Sequence, residues 1–92
     1  MTVRVKIPTQ LRQLVGGLNE VAIEGAATVG ELIQKMGADH PQMLERILDE
    51  NGDLRRFVNV YVGDEDVRFL EGLETSLEGQ TSVSILPAVA GG

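Results

Sequence analysis

The sequence predicts an α+β domain in which a mixed β-sheet carries one main helix packed across it. Three observations carry this. Five short segments alternate in hydropathy with a period of two, and one segment repeats its apolar residues at helical spacing. The segments run β-β-α-β-β-β within 92 residues, too few for a doubly wound sheet with helices on both faces.

Val3, Val5 and Ile7 alternate with Thr2, Arg4 and Lys6, a strand with one buried face that Pro8 ends. Residues 16–19 (GGLN) form a glycine-rich turn. Residues 20–25 follow as a second short strand with Val21 and Ile23 inward. The two strands read as a hairpin whose loop is covered by Leu11, Leu14 and Val15. Thr28 then caps a helix, and Glu31, three residues on, completes a capping box. Val29, Leu32, Ile33 and Met36 fall on one face of that helix, which Gly37 and Pro41 are expected to interrupt. Residues 42–53 add a helical turn or two through Leu44, Ile47 and Leu48, ending at Asn51-Gly52.

Residues 57–69 carry the strongest strand signal. Val58, Val60 and Val62 share one face, while Phe57, Asn59 and Tyr61 share the other. Residues 63–66 (GDED) supply a turn, and Val67 to Phe69 are expected to return as a strand. Leu73 and Leu77 sit in a short connection before a turn at Gly79-Gln80. The last strand, 81–87, points Val83 and Ile85 inward and Ser82, Ser84 and Leu86 outward. The first and last strands are expected side by side in the middle of the sheet, which is the β-grasp arrangement. Residues 1–87 then form the β-grasp domain, and 88–92 a flexible C-terminal tail.

Composition narrows the function. The aromatic residues are Phe57, Tyr61 and Phe69 alone, so the core is expected to be aliphatic. There is no cysteine, which excludes disulfides, thiolate metal sites and a cysteine nucleophile, and fits a reducing cytoplasm. The N-terminal MTVRVKIP lacks the apolar core of a signal peptide, and no run approaches the ~18 apolar residues of a membrane span. A net charge of -6 argues against nucleic-acid binding, which needs clustered Lys and Arg; only Arg55 and Arg56 are adjacent. That charge suits a protein partner with a basic docking surface, and also keeps a small domain soluble.

Candidate catalytic groups are few. His40, the single histidine, stands beside Pro41 and reads as a solvated loop residue. Asp64, Glu65 and Asp66 are consecutive, without the alternate spacing of a calcium loop, so no metal site is expected. Ser76, Ser82 and Ser84 have no context suggesting a base or an oxyanion hole. The glycines of GGLN lack both the lysine and the following helix of a phosphate loop. The domain is therefore expected to catalyse nothing itself and to bind no cofactor.

What remains is the end of the chain, Ala88, Val89, Ala90, Gly91 and Gly92. A tail without Cβ atoms at its tip passes through a narrow channel where a side chain would collide with the walls. An α-carboxylate, ionised with a pKa near 3.5, is a poor electrophile and reacts only after activation, for example as an acyl-adenylate formed with ATP. A folded head would supply the binding energy that holds such a tail in another protein's active site.

Through RFVNVYVGDEDVRF (56–69) and SILPAVAGG (84–92), the chain resembles the ubiquitin-like sulfur carriers of the ThiS/MoaD family over essentially its whole length, in particular the CysO type of actinobacterial cysteine biosynthesis. The resemblance implies that Gly92 is adenylated by a ubiquitin-activating-like adenylyltransferase, which uses the ATP, and becomes a thiocarboxylate. Residues 88–91 would thread into partner active sites. The sulfur would pass to an activated serine derivative on a pyridoxal-phosphate-dependent synthase, and a metalloprotease would release cysteine from the tail. A molybdopterin-synthase small subunit and a ubiquitin-like protein modifier are alternatives with the same tail chemistry. Strand parity adds a docking surface: Phe57, Tyr61 and Leu86 on outer faces would form an exposed apolar patch if their strands are neighbours.

Overall fold

The alternation along residues 2–7 produces β1, Thr2–Lys6, in a computed structural model of the chain that describes residues 2–87. Val3 and Val5 are buried while Thr2, Arg4 and Lys6 face out. A 3₁₀ segment, Thr9–Val15, buries Leu11 and Val15 over the hairpin loop, and β2, Glu20–Glu24, pairs antiparallel with β1.

Helix α1, Val29–Asp39, starts where its cap predicts. The Glu31 N–H donates to Thr28 Oγ1 at 3.2 Å, but the reciprocal half of the box is shifted by one residue: Glu31 Oε1 accepts from the Ala27 N–H at 3.4 Å. A further N-terminal donor, the Val29 N–H, reaches the Thr75 carbonyl at 3.0 Å. The connection between the later strands thus completes the cap and seats Leu77 in the core. Thr28→Ala is expected to cost about 1 kcal/mol, read as a lower urea midpoint with unchanged slope.

Gly37 does not interrupt the helix. It lies inside α1, buried, where an added Cβ would stand 3.1 Å from Leu44 Cβ and Cδ1. The glycine marks the close approach of α2, Pro41–Ile47, which packs Met43 and Ile47 into the core. Pro41 opens this second helix, in the first-turn position where its missing N–H costs nothing. His40 is the joint between them, its N–H bonded to the Met36 carbonyl and its own carbonyl accepting from Met43, both at 2.9 Å.

Strand β3, Val58–Val62, turns at Gly63-Asp64 into β4, which is only Glu65–Asp66. The expected return strand at Val67–Phe69 is instead a 3₁₀ turn. Asp66 Oδ1 accepts the Arg68 N–H at 2.8 Å and bends the chain off the sheet. A second 3₁₀ turn, Gly72–Glu74, leads to β5, Ser82–Pro87. The sheet order is β2-β1-β5-β3-β4, with β1 and β5 parallel and every other pair antiparallel. The last strand is central beside the first, as the β-grasp arrangement requires. The core between sheet and helices is aliphatic apart from Met36 and Met43, and none of the three aromatic residues enters it.

Candidate functional site

Helices cover one face of this sheet and leave the other open. Strand alternation puts Thr2, Arg4 and Lys6 of β1, Ser82, Ser84 and Leu86 of β5, and Asn59 and Tyr61 of β3 on that open face. The register arranges them in rows. Lys6, Ser84 and Tyr61 lie side by side across three strands, and Asp66 of β4 extends the row. Leu86 lies opposite Asn59 in the next row, at the end of β5 from which the chain continues to its tail.

This register settles how the expected apolar trio meets. Leu86 is 48% exposed and Tyr61 half-buried. Phe57, 55% exposed, precedes β3 in a turn and is not part of the strand. Tyr61 stands two positions along β3 from Asn59, the residue opposite Leu86, and is a diagonal neighbour of Leu86 at the ~7–8 Å separation that long side chains span, whereas Phe57 lies outside the paired strand. The patch is therefore interrupted by Asn59. Ala88, Val89, Ala90, Gly91 and Gly92, assigned the threading and reactive roles, lie outside the described residues.

The other candidates are not brought together. Asp64 and Glu65 are exposed in and beside the β3–β4 turn, and Asp66 is committed to capping the next turn. Ser76 bridges to Thr28 near the helix cap, whereas Ser82 and Ser84, a few residues on in the chain, line the open face. Among the described residues no group of His, Asp or Glu is placed to hold a metal, and no helix is long and apolar enough to cross a membrane.

An arginine from outside the strands also reaches the open face. Arg68 Nη1 donates to Asn59 Oδ1 at 2.7 Å, and Nη2 to the Arg55 carbonyl at 2.8 Å, which lays a guanidinium beside Leu86's opposite number. Treating 67–69 as a strand hides this. The available signal was Asp66, an acidic residue placed to accept from the N–H two positions on and so to start a turn.

The sequence matches the ThiS family over residues 5–92. It is 49% identical, over 94 aligned positions spanning 100% of both chains, to the sulfur carrier protein CysO of Mycobacterium tuberculosis. The crystal structure of that organism's CysO has a TM-score of 0.85 at 46% identity, covering 95% of this chain and 99% of that one. A chain of the Amycolatopsis orientalis BexX/CysO complex has a TM-score of 0.87 at 47% identity, covering 98% of this chain and 99% of that one.

Proposed function

Since the chain belongs to the ThiS family, we propose that it is a sulfur carrier whose Gly92 is adenylated and converted to a thiocarboxylate, and that this sulfur serves cysteine biosynthesis. The observation that carries the reading is 49% identity to CysO over the full length of both chains, in a match to the family that includes Gly91-Gly92. The chemistry divides between the chain and its partners. A Gly92 carboxylate oxygen attacks the α-phosphorus of ATP on the adenylyltransferase and expels pyrophosphate. A sulfide donor then attacks the acyl carbon and expels AMP, leaving the thiocarboxylate. The carrier contributes the tail and a docking face, and catalysis belongs to the enzymes. ATP supply and the absence of cysteine fit a cytoplasmic setting.

A thiocarboxylate suits delivery because sulfur is polarisable and the thioacid is ionised at neutral pH, so it is a ready nucleophile. Its sulfur attacks the side-chain carbon of an activated serine derivative on a pyridoxal-phosphate-dependent synthase, displacing that derivative's leaving group and giving a thioester. The acyl group then shifts from sulfur to the amino nitrogen, and a metalloprotease frees cysteine by hydrolysing the resulting peptide bond to Gly92. The docking face is the sheet surface around Leu86. About half of that side chain is still open to a partner, so its burial is worth roughly half of ~1.5–3 kcal/mol. Leu86→Ala is accordingly expected to weaken binding to the adenylyltransferase about three- to tenfold, with the melting temperature unmoved.

The test is intact mass. The chain is incubated with ATP, a sulfide donor and its adenylyltransferase, and the expected product is heavier by the difference between sulfur and oxygen. No mass change on active enzyme overturns the carrier reading. Conjugates joined through isopeptide bonds to lysines, in place of the thiocarboxylate, identify a protein modifier instead. Cysteine formation from the thiocarboxylate chain, synthase and protease separates this pathway from sulfur transfer to molybdopterin.

A further inference from the structure

The open sheet face mixes both signs, with Arg4, Lys6 and Arg68 beside Glu20, Glu24 and Asp66, and one of its cations is held in place near the base of the tail. Arg68 sits in the turn after β4. Its own N–H is tied to Asp66 Oδ1 at 2.8 Å, the preceding Val67 is fully buried, and the guanidinium is anchored by Asn59 Oδ1 and the Arg55 carbonyl. Both groups that anchor the guanidinium, a side-chain amide oxygen and a backbone carbonyl, are neutral. Among the described residues the one ion pair is Arg4–Glu20 at 3.6 Å, so no carboxylate is paired with the Arg68 guanidinium. A guanidinium has five N–H donors, and the two used here leave three for a ligand. Beside it Phe69 is 86% exposed, an aromatic side chain held out from a short, hydrogen-bonded turn.

We infer that Arg68 and Phe69 form a second part of the carrier's docking face, recognising a carboxylate beside an apolar pocket on the enzyme that activates the tail. This rests on the carrier reading and specifies the partner's chemistry. A planar, permanently charged guanidinium matches a carboxylate, and one already fixed in place loses little freedom on binding it. Arginine and aromatic side chains are also the usual anchors of protein interfaces. Proximity selects the occupant. Asn59 lies opposite Leu86, one strand spacing of about 4.8 Å away. An enzyme that holds residues 88–92 covers Leu86, and Arg68 lies one hydrogen bond beyond Asn59. The face as a whole mixes both signs, with Glu20, Glu24 and Asp66 beside Arg4 and Lys6, so it is at Arg68 that the partner presents an acidic group.

The experiment is ATP–pyrophosphate exchange by the adenylyltransferase, with the full-length chain as the varied substrate. Arg68→Gln is expected to raise KM about ten- to a hundredfold with kcat unchanged, and Arg68→Lys to raise it less. Added salt should raise the wild-type KM more steeply than that of Arg68→Gln. Lys35→Gln, on the exposed side of α1, removes the same charge away from this face and should leave KM unchanged. Phe69→Ala, which removes no buried contact, should raise KM without moving the melting temperature. An unchanged KM in both Arg68→Gln and Phe69→Ala overturns the inference, as does an equal rise in Lys35→Gln. Absence of exchange with the wild-type chain overturns the carrier reading itself.

Discussion

Deleting Gly92, or adding one alanine after it, is expected to abolish thiocarboxylate formation while the thermal midpoint stays where it is. One residue more or less moves the reacting carboxylate by up to ~3.3–3.6 Å along an extended tail. A misplacement of only about 1 Å at a reacting centre costs on the order of a hundredfold in rate, so a full residue takes activity below detection. Stability is insulated by construction. The pairing of β5 with β3 runs from Val83 opposite Val62 to Pro87 opposite Val58, and the core comes from residues within 3–85. Intact-mass detection of the product together with a melting curve checks both halves. Normal turnover by either variant would sink the assignment of Gly92 as the reacting residue.

The largest stability loss is expected one position upstream of Leu86. Ile85 is 1% exposed, lies in the central strand opposite Val60, and belongs to the cluster covered by α1 and α2. Ile85→Ala removes three carbons from a site walled by β1, β3 and the helices, which cannot collapse to fill the space. The cost is ~2–5 kcal/mol. In a domain of this size each kcal/mol lowers the midpoint by about 4–8 °C, and total stability is only ~5–15 kcal/mol. A midpoint lowered by ten degrees or more follows. The contrast with Leu86→Ala, which should leave the midpoint unmoved, tests the parity of β5 directly. Reversed effects would put the last strand one residue out of register and remove Leu86 from the docking face.

That parity was readable because it is local. Side chains alternate along any strand, so Val3, Val5, Val58, Val60, Val62, Val83 and Ile85 declare their buried face without knowledge of their partners. Thr28 declares a helix start for the same reason, since its cap reaches only three residues ahead. The β-grasp order followed from the number and sequence of these elements in a short chain. The diglycine and the two motifs that flank the resemblance to sulfur carriers are likewise contiguous. Where a contact joins distant residues the reading failed. Gly37 looked like a helix breaker because its reason, the approach of Leu44 from the next helix, lies off the helix that contains it. The segment 67–69 looked like a strand because valine and phenylalanine favour strands, whereas Asp66 turns it and β4 ends after two residues. Arg68 could not be placed at all, because its anchors are Asn59, nine residues back, and the carbonyl of Arg55, thirteen back. Hydropathy repeats set which way each side chain faces. Which neighbours meet across the open face of the sheet depends on strand order and register, and those exist only once the chain has closed on itself.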